Sequence, residues 1–488
     1  MSSEVKKNHS GTLKQKTARG IVWSFIDKFG QQGISFIVFI FLTRFFLSPE
    51  DYALYAMIII VNALGGILVD SGFSNALIRK KNPTQTDLSS VFYFNIAISV
   101  LFYCIAFFSA PLFALYFNQP ILTKLIRVMA FCIPINSLSL VQNVLLLKKI
   151  NLKYIAATNL LAYFCSGSLS IFLAWKGFGV WVLILQLLSY YTIRAFCFWC
   201  FNHWRPSITY SMESIRNLWS YSSKLLLSST ISVIFNNIYA FFIGKIYPLK
   251  QMGFYAQANK YSELPNNTIM SAIQSVVFPT MANIGENDPE ALKKVMRKTI
   301  RVASFVILPV MLGLIAVAEP LIQTLIGAKW LPIVPYLQIL SVGYIFIGMT
   351  LFYNNILFVK GFSSTFLYFN ILYRVLILIS IVITMYQGII AMVVAWDMVA
   401  IVYAILMMFY VGRKICYTFL EQIKDIMPYF ILALTMGAGV FSFTLFIHNT
   451  LILLLMQLIV GASFYLGATY LLGSKVFREA IEMVKKRM

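Results

Sequence analysis

Nine ionisable residues stand inside long apolar stretches of the chain: Asp27, Lys28, Asp70, Arg194, Lys224, Lys260, Glu263, Arg374 and Asp397. Burying a charge in hydrocarbon costs at least about 2.5–3.5 kcal/mol on insertion scales, so each is a candidate for binding or for ion movement. Lys28 closes the word WSFIDK and Lys224 the word WSYSSK, at an offset of 196 residues. Two ammonium groups facing one cavity repel unless an anion lies between them, so the pair points to a polyanion such as a phosphate or pyrophosphate. Arg374, in the middle of ILYRVLILI, offers a deeper cationic station, and Arg194, Lys260 and Glu263 are secondary candidates. Asp397, in VVAWDMVA, is the foremost candidate to carry a proton or cation, with Asp70 and Asp27 behind it. Plainer roles compete with these. Arg194 and Asp70 lie near helix ends, where an arginine can reach water; Lys260 and Glu263, three apart, can neutralise each other; and Arg374 or the lysines can form salt bridges with Asp27, Asp70 or Asp397.

The surrounding elements must be membrane helices. Of 488 residues, 60% are hydrophobic and 11% charged, with a mean hydropathy of +0.79, which excludes a water-soluble fold. Apolar runs long enough to span fall at 21–43, 52–78, 88–110, 125–147, 154–175, 178–200, 219–244, 252–283, 299–318, 331–359, 362–386, 388–411, 427–447 and 450–473. With the N-terminus inside, 27 Lys and Arg fall on cytoplasmic segments and 7 opposite, which supports about fourteen crossings with both termini cytoplasmic. The net charge of +22 therefore reports topology; no nucleic-acid-binding face has room to form.

A second similarity accompanies the two aromatic words: LTRFFLSPEDYALYA resembles IGKIYPLKQMGFYA, with Tyr55-Ala56 matching Tyr255-Ala256. Both copies start from the same side, as parallel repeats of transporters do. The expected organisation is a cytoplasmic tail over 1–20, a six-helix lobe over 21–200, a linker over 201–218, a second six-helix lobe over 219–411, two further helices over 412–473 and a cytoplasmic tail over 474–488. The basic first tail reads as a retained segment, suited to lie as an amphipathic helix on an anionic leaflet. Segment 285–298 reads as a short amphipathic helix, with Asn287 or Asp288 as N-cap and Pro289 at its first position.

Bond-making chemistry finds no foothold. Neither a GxxxxGK[ST] phosphate loop nor HExxH or GxSxG occurs. Cys197, Cys200 and His203 form a CxxCxxH without an evident fourth ligand, so packing is the better account, and no metal is expected. All six cysteines lie in or beside apolar runs, unlike a secreted disulfide framework. No outer loop exceeds about 20 residues, which leaves a membrane glycan polymerase without a segment to hold its acceptor. The chain reads as a transporter, with no cofactor beyond coupling to H+ or Na+.

Several stretches resemble a known family: WSFIDKFGQQGISFIVFIFLTRFFLSPEDYALYAM, LVDSGFSNALIRKKNPTQTDLSSVFYFN (Leu68 to Asn95), GFGVWVLILQLL (Gly177 to Leu188), WRP (Trp204 to Pro206), and YSELP with a later FP (Tyr261 to Pro265, Phe278-Pro279). They are similar to polysaccharide flippases of the lipopolysaccharide and capsule or colanic-acid type, in the multidrug/oligosaccharidyl-lipid/polysaccharide exporter superfamily. The likeness is densest over residues 17–285. It implies an all-α integral membrane protein of two pseudo-symmetric six-helix lobes around a central cavity, with two appended C-terminal helices. It also implies an undecaprenyl-pyrophosphate-linked oligosaccharide, such as an O-antigen or exopolysaccharide repeat unit, turned from the cytoplasmic to the outer leaflet of a bacterial inner membrane by alternating access. A basic cavity for the pyrophosphate would suit Lys28, Lys224 and Arg374. The implied partners are the lipid-linked oligosaccharide, membrane lipids and the polysaccharide polymerase machinery. The alternatives are a cation-coupled drug antiporter of the same superfamily, which would favour acidic over basic intramembrane residues, and the polymerase.

Overall fold

In hydrocarbon every backbone N–H and C=O must be satisfied within its own segment or barrel, so apolar runs of this length fold as helices. The computed structural model describes residues 2–70, 73–80, 82–149, 151–285, 288–474, 476–479 and 482, with no strand among them. Thirteen of its helical segments are long and apolar enough to cross a membrane. They coincide with thirteen of the fourteen expected runs; the run at 252–283 is helical but too polar to qualify. The chain divides into two compact units, Met1–Gly253 and Phe254–Met488.

The first unit holds α1 (Ser2–Phe45), α2 (Pro49–Asp70), α3 (Phe73–Arg79), α4 (Gln85–Phe117), α5 (Ile121–Ala130), α6 (Cys132–Lys148), α7 (Leu152–Trp175), α8 (Trp181–Phe201), α9 (Met212–Asn236) and α10 (Ile238–Ile246). In it, α1 packs on α7, α7 on α8, and α2 on α4, α5, α6 and α9. The tail and the first apolar run are one uninterrupted 44-residue helix, and the side chains of residues 1–19 lie outside those described. Thr84 starts α4 with a reciprocal capping box to Asp87, whose carboxylate also takes Lys80 Nζ at 2.6 Å. The expected linker is pinned to that same turn. Trp204 Nε1 donates to Gln85 Oε1 at 2.7 Å, Gln85 Nε2 donates to the Arg205 carbonyl at 2.7 Å, the Ser207 amide donates to Ser89 Oγ at 3.0 Å, and the Ser211 amide to Ser90 Oγ at 2.8 Å.

The second unit begins inside α11 (Leu249–Ile284) and continues through α12 (Pro289–Ala316), α13 (Ala318–Leu325), α14 (Val334–Val359), α15 (Ser363–Thr384), α16 (Ile389–Lys414), α17 (Phe419–Ser442) and α18 (Thr450–Leu471). Here α12 packs on α17 and α14 on α16. Asp288 caps α12 through Ala291 N at 2.8 Å, with Pro289 in the first turn. The short helix expected over 285–298 is not separate, because nothing between Pro289 and Ala316 stops it; Pro309 is carried inside the same helix.

α12 and α17 are joined by charge. Arg297 Nε reaches Asp425 Oδ2 at 2.6 Å, Arg301 Nη2 reaches Asp425 Oδ1 at 2.5 Å, and Tyr417 Oη donates to Asp425 Oδ2 at 2.7 Å. Burial and the Asp425 carboxylate beside it hold the Tyr417 phenol above its ordinary range, so it stays protonated as a donor.

Candidate functional site

In the first unit, Asp27 turns toward α7. Asn159 Nδ2 donates to both its carboxylate oxygens at 3.2 Å, and Gln31 Nε2 donates to Oδ1 from the next turn of α1. Four residues along α7 from Asn159, Tyr163 meets Tyr190 of α8 with ring centroids 4.5 Å apart. Both phenols lie within electrostatic reach of Asp27 and of Arg194. Arg194 Nη1 donates to Asn136 Oδ1 at 3.3 Å, and its guanidinium lies over the Phe198 ring at 5.2 Å. Arg194 Nε and Asn159 Oδ1 are buried without a hydrogen-bond partner. Asp27 with Asn159 and Gln31, and Arg194 with Asn136, are thus two charged clusters, the first joining α1 to α7 and the second α8 to α6, with the Tyr163–Tyr190 pair within electrostatic reach of both.

The other first-unit candidates are Lys28, Asp70 and Lys224. Lys28, beside Asp27 in sequence, is exposed. Asp70 is exposed at the end of α2, and residues 71–72 beyond it lie outside the described residues. The Lys224 side chain also lies outside them. Cys197 is buried while Cys200 and His203 are exposed.

In the second unit, Asp397 is 4% exposed, and its Oδ1 has no hydrogen-bond partner. The carboxylate lies against Gly343 of α14, where a methyl group would collide with it. The neighbouring Trp396 packs on Tyr344 at 5.1 Å, and Tyr344 Oη donates to Asn259 Oδ1 of α11 at 2.9 Å. Arg374, half-buried on α15, lies within electrostatic reach of Tyr373 and Tyr403, whose rings are 4.7 Å apart. Arg374 and Asp397 are not each other's salt-bridge partners. Glu263 accepts from Asn267 Nδ2 at 2.9 Å, and Lys260 is exposed on the same helix.

Asn159, Tyr163, Tyr190 and Asn136 belong to these clusters but do not stand out in the sequence, where charged side chains on apolar helices are the visible signal. Their signal was an uncharged polar group on an apolar helix, costly unless it finds a partner. The Asp27 carboxylate, accepting from two amides, and the unpartnered Asn159 Oδ1 are the polar oxygens that this interior offers.

Residues 41–335 match the family model described as polysaccharide biosynthesis protein.

The chain belongs to that family.

Among curated relatives, the succinoglycan biosynthesis transport protein ExoT of Rhizobium meliloti (strain 1021) is 27% identical over 331 residues, which is 68% of this chain and 67% of that one. The lipopolysaccharide biosynthesis protein WzxC of Escherichia coli (strain K12) is 23% identical over 68% and 67%. Among solved structures, the lipid II flippase MurJ in an inward closed conformation matches with a TM-score of 0.76 at 18% identity, covering 94% of this chain and 100% of that one. A MATE multidrug transporter of the MOP superfamily, facing inward, matches at 0.61 with 17% identity over 79% and 94%. The family member described here is therefore an all-α, multi-pass membrane protein with a MurJ-like fold, and the resemblance read from its motifs is confirmed.

Proposed function

We propose that the chain carries an undecaprenyl-pyrophosphate-linked oligosaccharide from the cytoplasmic to the outer leaflet of a bacterial inner membrane, by alternating access and with both termini cytoplasmic. The observation that carries this is the family match over 41–335, together with the likeness over two thirds of the chain to a relative named as a succinoglycan transport protein. The fold it shares with a lipid II flippase supports it. Lys28, Lys224 and Arg374 supply cations for the pyrophosphate, and Arg194 and Lys260 are secondary. Asp27 and Asp397 are the carboxylates through which H+ or Na+ would drive the cycle. A polysaccharide polymerase consumes the delivered unit on the far side.

Depletion in the producing cell tests the proposal. Lipid-linked oligosaccharide should then build up where an impermeant, glycan-oxidising reagent added to spheroplasts cannot reach it, and re-expression should restore access. A cargo equally accessible with and without the protein overturns the proposal.

A further inference from the structure

The helix α11 is too polar to count among the apolar spans, yet it packs along one of them. It lies along α14, which is part of a membrane-span segment, Ala328–Val359. Ser262 Oγ donates to the Leu337 carbonyl at 3.2 Å, and Tyr344 Oη to Asn259. A methyl group on Gly348 would collide with Asn266, and Gln274 and Asn355 exchange two amide hydrogen bonds of 2.8 Å each. From Leu337 to Asn355 α14 rises about 27 Å, close to the thickness of the hydrocarbon core.

The other face of α11 is exposed and carries a polar row between Lys260 and Ser275, with Ala272 and Val276 exposed beside it. Lys260, Asn267, Ser271 and Ser275 recur at spacings of seven, four and four residues, so they form one row, flanked by Thr268 and by the half-buried Glu263. Lipid does not tolerate such a row, which combines an ammonium, a carboxylate and an amide at membrane depth. It faces water or a polar ligand.

The chemistry of the row selects the ligand. One Lys and one Glu leave the row as a whole without net charge, so it selects neither an anion nor a cation, and Lys260 stays a secondary contact for the pyrophosphate. Thr268 Oγ1 donates to the Leu264 carbonyl at 2.8 Å, Ser271 Oγ to the Thr268 carbonyl at 3.1 Å, and Ser275 Oγ to the Ala272 carbonyl at 2.7 Å. With their protons committed to the helix, these hydroxyls present lone pairs outward, beside the Glu263 and Asn267 oxygens. A ladder of neutral acceptors fits a ligand rich in hydroxyl donors, and many weak sites in a row let that ligand move along without being trapped.

We propose that this face of α11 is the track for the sugar portion of the cargo, with Asn267, Thr268, Ser271 and Ser275 contacting carbohydrate hydroxyls; this rests on the flippase function proposed above. The track sets which glycans pass, while the pyrophosphate is held mainly by Lys28, Lys224 and Arg374.

The test places a photo-crosslinking benzophenone amino acid at Ser271, with Ile379 on the apolar, exposed α15 as the control position. In glycan-producing cells, position 271 should give an adduct carrying the oligosaccharide, lost when synthesis of the lipid-linked cargo is blocked, and position 379 should give phospholipid only. The triple variant Thr268→Val, Ser271→Ala, Ser275→Ala should remain folded and slow arrival of the cargo at the outer leaflet several-fold. Phospholipid adducts alone at 271, or a triple variant as fast as the parent, overturn the track while leaving the flippase function standing. If depletion of the protein leaves cargo transfer unchanged, the flippase function fails and the track falls with it.

Discussion

Asn159 holds both carboxylate oxygens of Asp27 at 3.2 Å across 132 residues of sequence, and so ties α7 to α1 in the interior of the first unit. Hydrogen bonds between membrane helices contribute modestly, because alternatives exist in the unfolded membrane state. Asn159→Leu should therefore lower stability by about 1–2 kcal/mol, read as thermal unfolding in detergent. Asp27→Asn preserves the shape and should unfold near the parent temperature while slowing glycan export. Full export by a stable Asp27→Asn protein would remove the carboxylate from the transport cycle.

The pairing of α12 with α17 makes a second prediction. Asp425→Ala leaves two guanidiniums and the Tyr417 hydroxyl without their acceptor, and Asp425 is 5% exposed. The arginine side chains are 38% and 29% exposed. Partial access to water should hold the loss to roughly 2–3 kcal/mol, below the cost of breaking a fully buried pair. Lys298→Ala, which removes the exposed pair with Glu479, should change stability by less than about 1 kcal/mol. Equal losses in the two variants would show that Asp425 is not the anchor.

Two glycines should respond oppositely to the same substitution. A methyl on Gly253 would collide with the Pro49 carbonyl and sit 2.9 Å from its Cα; backbone cannot rotate away as a side chain can, so Gly253→Ala should cost about 1–3 kcal/mol. Gly33, within α1, meets nothing within 4 Å, and Gly33→Ala should gain up to about 1 kcal/mol from helix propensity. Melting temperatures that move together would contradict the packing.

For the proposed anion site, charge should matter more than shape. Lys28→Ala and Lys224→Ala should each reduce surface glycan with the protein still inserted at parental levels. Arg374→Lys should retain more export than Arg374→Glu. Comparable defects from Lys and Glu at 374 would indicate packing rather than a phosphate contact.

Much of this architecture was legible in advance, for reasons visible at single residues. Apolar run length marks a span regardless of what packs on it, and the Asp288-Pro289 start of α12 is written in adjacent residues. Asp27, Lys28 and two glutamines interrupt the apolar run of α1; the helix continues because Asp27 finds Asn159 and Gln31. That partnership, like those of Arg297 with Asp425 and Gln274 with Asn355, joins positions 81 to 132 residues apart and leaves no mark on local periodicity. The expected stop after residue 298 had no breaker to enforce it. The row on α11 was visible only as a run more polar than its neighbours, since separating its exposed face from the one against α14 required the packing.

The pinning of residues 204–211 onto the start of α4 also orders events in time. Ser89 and Ser90 meet Ser207 and Ser211, 118 and 121 residues later in the chain. At about 5–20 residues per second, the ribosome reaches those partners roughly 6–24 s after it has made the serines. Throughout that interval the first turn of α4 has only Thr84, Asp87 and water to satisfy it, while α5 to α8 enter the membrane around it. Closure of this staple is thus a late step of biogenesis. A nascent chain arrested before Trp204 should leave that turn open to protease, and one released beyond Ser211 should protect it.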